Sequence, residues 1–361
     1  MSTSSATTAR ELVHAVLAED GRLVRSALLG SIPNEEPRRY LYDLIASYSS
    51  REGKGFRSSL CLATCRAFGG SSRDALDAAV ALEFLHNAFL VHDDIEDDGW
   101  TRRGAPALHR QHGLSLALNA GDGLCALALS SMARCAFRQP PHVGVMLLGE
   151  VAHLVRRSVE GQAWELGWIK EERFDVSEKD YLEMILGKTC WYSTIHPCRL
   201  GALIGSSGRA TLDALVPFGL YLGAAFQIRD DLDNLALDKD SYVKDIGGDI
   251  VEGKRTLPLI HLLASSSERE RAEIITMMSP SCAVATPEKV RAVVERMMEA
   301  GSLDYARDVA DGFARMALKA MPQAFAGATS LPDVHYISSL VLYLCGAIGA
   351  SEPERAVTVL G

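Results

Sequence analysis

No pair of cysteines in this 361-residue chain has CxxC spacing, and no histidine cluster accompanies any of its eight cysteines. That excludes a zinc ribbon or finger and a thioredoxin-type redox pair. Cys61 and Cys65 lie four apart in an apolar helical stretch and read as buried thiols, which fits a reducing compartment. A surplus of positive charge is also missing. The formal net charge is −9, which argues against a nucleic-acid partner. No basic segment followed by an apolar one stands at the start, so no signal peptide is expected. The longest apolar stretch, Tyr336 to Ala350, is interrupted by Ser338, Ser339 and Gly346 and is too short for a membrane span. A cytoplasmic protein follows as the expectation. No linker-length run of Pro, Gly or Ser divides the chain and no repeat of solenoid length recurs. The reading is a single domain over 1–361, with the Ser/Thr-rich residues 1–8 as a flexible segment.

Alternating Val/Ile-rich runs between tight turns are scarce too. Apolar residues instead recur at helical spacing almost throughout, so the expected class is all-α, a helical bundle. Two helices carry the argument. The first is predicted over Ala75 to Asp97, with Ser71 or Ser72 and Asp74 in a capping-box-like arrangement before it. The second is predicted over Leu212 to Leu235, with Thr211 as N-cap and Pro217 marking a kink or a later start. Both are apolar nearly all round and both end in acid. That combination predicts a deep central cavity with carboxylates at its rim.

Asp93, Asp94 and Asp97 fall at i, i+1 and i+4, so Asp93 and Asp97 share a helix face, with His86 two turns back on the same stripe. Like charges about 4 Å apart cost roughly 1 kcal/mol in water and more in a desolvated cleft. Such a cluster at the end of an apolar helix calls for a cation, and hard oxygen ligands few in number suit Mg²⁺ sharing its shell with water and phosphate. Arg102 and Arg103 follow after a short loop and have the planar donor forks that grip diphosphate oxygens. On the second helix Gln227, Asp230, Asp231 and Asn234 form another oxygen-rich face, whose last position offers only a neutral amide. Basic residues recur at Gly53-Lys54 and Arg57, at Lys188-Thr189, and at Lys244 and Lys254 flanking Asp249. They make an anion site only if the fold gathers them. No Ser-His or Cys-His arrangement for covalent catalysis stands out.

GKGFR (53–57), LHNAFLVHDDIEDDGWTRRGAPALH (85–109), EGQ (160–162), GKT (187–189), FQIRDDLDN (226–234) and GGDIVEGKRTLP (247–258) occur in the order found in the trans-prenyltransferases, or polyprenyl synthetases. The chain strongly resembles that family, which includes geranylgeranyl and farnesyl diphosphate synthases. The resemblance implies an all-helical bundle around a deep cavity, a homodimer, and three Mg²⁺ ions between the acidic motifs. It implies that Asp93, Asp97 and Asp230 bind metal with Asp94 in support. Lys188, Lys244 and Arg102 would grip an allylic diphosphate, with Thr189, Gln227 and Lys254 nearby. Gly53, Lys54, Arg57, His86 and Arg103 would bind isopentenyl diphosphate. Asn234 stands where the family usually has a third Asp, and Gly55 and Ser58 where it often has Arg and Pro. In the family, bulk at the positions of Ala88 and Phe89 limits product length. One small and one large residue there point to geranylgeranyl diphosphate, with farnesyl diphosphate next. A class I terpene cyclase shares the fold and first motif but needs no Lys54 or Arg57. A non-catalytic subunit of a heteromeric prenyltransferase usually has damaged acidic motifs.

Overall fold

The computed structural model describes residues 8–51, 53–235, 247–279 and 286–346. Among them the α-helices in chain order are α1 (Ala9–Gly30), α2 (Tyr42–Ser49), α3 (Phe56–Ala67), α4 (Leu76–Glu96), α5 (Leu108–His112), α6 (Leu114–Arg138), α7 (Pro141–Lys170), α8 (Glu178–Ile185), α9 (His196–Gly205), α10 (Leu215–Asn234), α11 (Gly248–Val251), α12 (Leu257–Ser265), α13 (Glu268–Met278), α14 (Pro287–Glu299), α15 (Ser302–Ala324) and α16 (Leu331–Leu344). Between α8 and α9, Leu186–Ile195 wind as a π-helix. The all-α expectation holds, with one small exception: Thr101–Arg102 and Ala105–Pro106 pair as β1 and β2 of a hairpin.

The starts of these helices follow local chemistry. Thr8 and Glu11 form a reciprocal capping box on α1, so Thr8, read as part of a flexible end, is instead the cap of the first helix. Ser177 with Asp180 and Ser267 with Glu270 do the same for α8 and α13. Pro141 opens α7, where its missing N–H costs nothing. The two key helices start later than their patterns predicted. Asp74 accepts from the Ser71 backbone and hydroxyl at 2.8 and 2.7 Å, making a separate turn before α4. Leu212–Ala214 form a 3₁₀ turn, and α10 begins at Leu215, so that Pro217 falls in the first turn and needs no donor.

α4 is central. Ala78, Val80, Phe84, Leu85, Ala88 and Val91 are all buried in the largest hydrophobic cluster, which α1, α3, α6, α9 and α16 complete. Cys61, Cys65, Cys135 and Cys198 are buried in that cluster, and every described cysteine is free; Cys282 lies outside the described residues. Burial pushes the Cys65, Cys135 and Cys198 thiols up to about 12, so they pack as small hydrophobes. Among the described residues one helix, α6, is long and apolar enough to cross a bilayer, and 39% of that stretch is buried.

Candidate active site

α3, α4, α7, α8, α10, α11 and the π-helix surround a cavity of about 1030 Å³. Its deeper wall is apolar, with Phe89, Leu90, Val155, Leu166, Ile185 and Phe226 among the lining residues. Its polar end gathers most of the residues that the sequence singled out. Gly53, Lys54, Arg57, His86, Asp93, Asp97, Arg102, Arg103, Lys188, Thr189, Gln227, Asp230 and Lys254 all line it. Lys244 lies outside the described residues. Asp94 is absent from the lining.

The hairpin after α4 explains Asp94. Arg103 and Gly104, both at positive φ (52° and 73°), make its tight two-residue turn, whose backbone twist matches that of paired strands. The turn directs Arg102 back onto α4, where its guanidinium donates to Asp94 Oδ1 at 2.7 and 2.6 Å. Tyr48 donates to the other oxygen at 3.4 Å, and Asp94 is 1% exposed. This carboxylate fixes Arg102 from behind. Asp93 faces the other way, into the cavity, with Lys188 Nζ and Arg102 Nη2 each at 3.6 Å and Gln162 Nε2 at 3.4 Å. Burial pushes the Asp93 carboxyl up, but Lys188, Lys254 and Arg102 outweigh it and hold the group below the ordinary carboxylate range.

Two lysines tie the first acidic motif to carboxylates on other elements. Lys254 donates to Asp97 at 2.8 Å and lies 2.6 Å from Glu252 and 3.7 Å from Asp249. Lys188 pairs with Glu165, a carboxylate 6% exposed on α7. The π-helix brings it there. A Cβ on Gly161 would overlap the Lys188 backbone, so only glycine lets the π-helix lie against α7 this closely. Burial drives the Asp97 carboxyl up, with Lys254 opposing and Asp93 and Glu252 reinforcing. Asp230 is raised by burial against the pull of Lys54 and Arg57. Asn234, the departure in the second motif, braces the backbone. Its Oδ1 accepts from the Asp249 N–H at 3.1 Å and pins that residue beside the cavity.

A second group of cations is built differently. Arg57 is 8% exposed and donates to Ser193 Oγ at 3.1 Å and Tyr192 OH at 2.9 Å. Arg103 donates to the Arg51 carbonyl and to Asn87, each at 3.4 Å, and lies over Gly53. His86 Nε2 sits between the two guanidiniums, 3.5 Å from Arg57 and 3.3 Å from Arg103. Burial, with Arg57 and Arg103 alongside, depresses the His86 pKa well below its usual value, so the ring is neutral. Since both neighbours are donors, Nε2 carries the lone pair. Among the described residues, no carboxylate comes within 4.0 Å of the Arg57 or Arg103 guanidinium nitrogens. Two largely buried guanidiniums held by neutral acceptors are ready for an anion from outside.

Sequence reasoning missed Glu165, Asp249, Glu252, Tyr181 and Tyr192 as members of this lining. Glu165 is one turn beyond Gln162 of the EGQ motif, which is the only signal that could have found it.

The residues 38–297 match the polyprenyl synthetase family model. The chain belongs to the polyprenyl synthetase family. It is an enzyme of the prenyltransferase class. The synthetase is 36% identical over 265 residues to a short chain isoprenyl diphosphate synthase of Methanothermobacter thermautotrophicus, covering 73% of this chain and 78% of that protein. It is 31% identical to a geranylgeranyl pyrophosphate synthase of Geoglobus acetivorans, over 92% of this chain and 98% of the relative. A crystal structure of geranylgeranyl pyrophosphate synthetase from Pyrococcus horikoshii superposes with a TM-score of 0.82 at 29% identity, covering 93% of this chain and 98% of that one.

Proposed function

We propose that this synthetase is a short-chain trans-prenyl diphosphate synthase that joins isopentenyl diphosphate to an allylic diphosphate, and that its main product is geranylgeranyl diphosphate. One observation carries the reading: a single cavity holds two groups of cations of different make. In one, Arg57 and Arg103 have no carboxylate partners among the described residues; in the other, Lys188, Lys254 and Arg102 pair with Glu165, Asp97 and Asp94. A terpene cyclase, with one diphosphate to bind, has no use for the first group.

The acidic site fits Mg²⁺. Nine carboxylates face seven Lys and Arg side chains among the described lining residues, and burial raises Asp97, Asp230 and Asp249. Such a surplus attracts hard cations, and their charge is what lets a diphosphate approach it. Asp93, Asp97 and Asp230 would hold the metal, three ions in all. When bound, Mg²⁺ neutralises charge on a departing diphosphate.

The protein's own groups supply the rest. Lys188, Lys254 and Arg102 donate to the allylic diphosphate as its C1–O bond breaks and the electron pair leaves with it. Lys54, Arg57 and Arg103 hold isopentenyl diphosphate so that its double bond meets the new cation. The C–C bond forms, and the proton lost from the adduct passes to the released diphosphate. The apolar wall takes the growing tail and excludes water. Incubating purified protein with Mg²⁺, isopentenyl diphosphate and each of dimethylallyl, geranyl and farnesyl diphosphate tests this reading. Failure to elongate any primer overturns it, and cyclised hydrocarbon from one allylic substrate replaces it with the cyclase.

Phe89 supports the product assignment. Its ring lines the cavity one turn before Asp93 and meets Tyr192 edge-on at 5.4 Å between centroids, whereas Ala88 is fully buried in the core. Phe89→Ala removes half of that aromatic barrier, and the product, analysed by mass spectrometry after dephosphorylation, is expected to gain at least one isoprene unit. An unchanged product profile removes Phe89 from the length-setting role.

The chain is proposed to work as one domain and as a homodimer in the cytoplasm. Free described cysteines suit a reducing compartment. Leu118 and Leu129 on α6, and Val145, Leu148 and Val159 on α7, are 48–72% exposed. Two adjacent helices with this much uncovered apolar surface fit a self-complementary twofold contact. Light scattering is expected to give twice the 39.1 kDa chain mass, and Leu129→Glu with Leu148→Glu a monomer. A monomeric parent protein defeats the proposal.

A further inference from the structure

We infer that Tyr181, a residue outside every motif quoted above, is a positioning residue for the allylic half of the site, acting through Asp231 on Gln227 and Thr189. The inference rests on the synthase reading. Tyr181 lies on α8 and is 1% exposed, and its hydroxyl donates to Asp231 Oδ2 at 2.7 Å. Asp231, 4% exposed on α10, uses its other oxygen to accept from Gln227 Nε2, also at 2.7 Å. Gln227 Oε1 in turn accepts from Thr189 Oγ1 at 2.7 Å. Four side chains from α8, the π-helix and α10 thus form one directed chain of hydrogen bonds, and all four line the cavity.

The direction of each bond is dictated by donor inventory. The Tyr181 phenol and the Gln227 NH₂ group are donors and Asp231 accepts from both, so the amide oxygen is left for the Thr189 hydroxyl. Asp231 therefore sets which way the Gln227 amide points. Tyr181 holds Asp231 in turn, because its phenol is the partner of the second carboxylate oxygen. Thr189 directly follows Lys188 in the π-helix, so the chain ends next to the lysine proposed to grip the allylic diphosphate. Both Asp231 oxygens are already engaged, which also separates its role from that of the cavity-facing Asp230.

Removing the phenol oxygen frees Asp231 to turn and unlocks the amide without removing the ring that packs among Trp168, Ile185 and Ile228. A buried hydrogen bond is lost, so kcat of Tyr181→Phe is expected to fall about tenfold, while the KM for isopentenyl diphosphate changes by less than about twofold. A purely structural tyrosine would move the melting temperature and both KM values together. Thr189→Val breaks the chain at its other end, and the double variant Tyr181→Phe/Thr189→Val is expected to lose less than the product of the two single losses. Unchanged kcat in Tyr181→Phe, or strictly multiplicative losses in the double variant, overturns the inference. The parent protein is assayed in parallel. If it fails to elongate any primer, the synthase reading falls; if it elongates and Tyr181→Phe matches it, only the role of Tyr181 falls.

Discussion

Asp93→Asn is expected to lower kcat by about two to three orders of magnitude, the scale on which one preorganised electrostatic partner of a transition state is felt, with the fold intact. The substitution keeps the shape and removes only the charge. Asp93 faces the cavity, and three cations hold it ionised. Its loss strands none of them, because Arg102 keeps Asp94, Lys188 keeps Glu165 and Lys254 keeps Asp97. Thermal unfolding should therefore be close to that of the parent. Asp94→Asn makes the contrast. That side chain lies behind Arg102 and outside the cavity, so the variant should lose stability and retain more turnover than Asp93→Asn. Steady-state kinetics at saturating substrates together with calorimetric melting checks both. A kcat for Asp93→Asn within tenfold of the parent, or equal losses at the two positions, would show that the neighbouring aspartates do not divide their work in this way.

Lys188→Met is expected to be inactive and also unstable. Glu165 on α7 is buried, and its lysine partner is the cation that satisfies it. Breaking a buried pair from one side leaves an uncompensated charge, which costs about 3 kcal/mol. Burial lowers the lysine's affinity for a proton, but Glu165 and Asp93 more than offset this and raise its pKa, so Lys188 stays charged throughout the physiological range. The double variant Lys188→Met/Glu165→Gln separates the two effects. Removing the stranded carboxylate should restore the melting temperature while activity stays lost, because the diphosphate has no ammonium to meet. Recovery of activity in the double variant would show that Lys188 serves only to neutralise Glu165.

How much of this was legible in advance depends on how local each feature is. Asp93 and Asp97 could be placed on one face from their spacing alone, because helical periodicity is a property of neighbouring residues. The same holds for the capping boxes of α8 and α13, which need only four consecutive residues. Asp94 was grouped with its neighbours because adjacency in sequence hides the roughly 100° that separates consecutive side chains on a helix. Its partners, Arg102 on a hairpin and Tyr48 on α2, come from elsewhere in the chain. The hairpin itself was missed because two-residue strands are too short to show an alternating pattern.

The sequence by itself determined the helical class, the two acidic helix ends and the family, because each rests on residue types at short, ordered spacings. Tertiary structure alone decided which cations face carboxylates and which are held by neutral acceptors. Lys54, Arg57, Arg103, Lys188 and Lys254 all read as basic residues near glycine, and nothing local distinguishes them. Lys188 meets Glu165 only because a glycine lets the π-helix lie against α7, and Lys254 meets Asp97 across 157 residues of chain. Arg57 and Arg103 share a neutral histidine because burial and mutual charge keep it unprotonated. Those pairings depend on distance and desolvation in the folded molecule, and they divide the basic residues into those paired with carboxylates and those held by neutral acceptors.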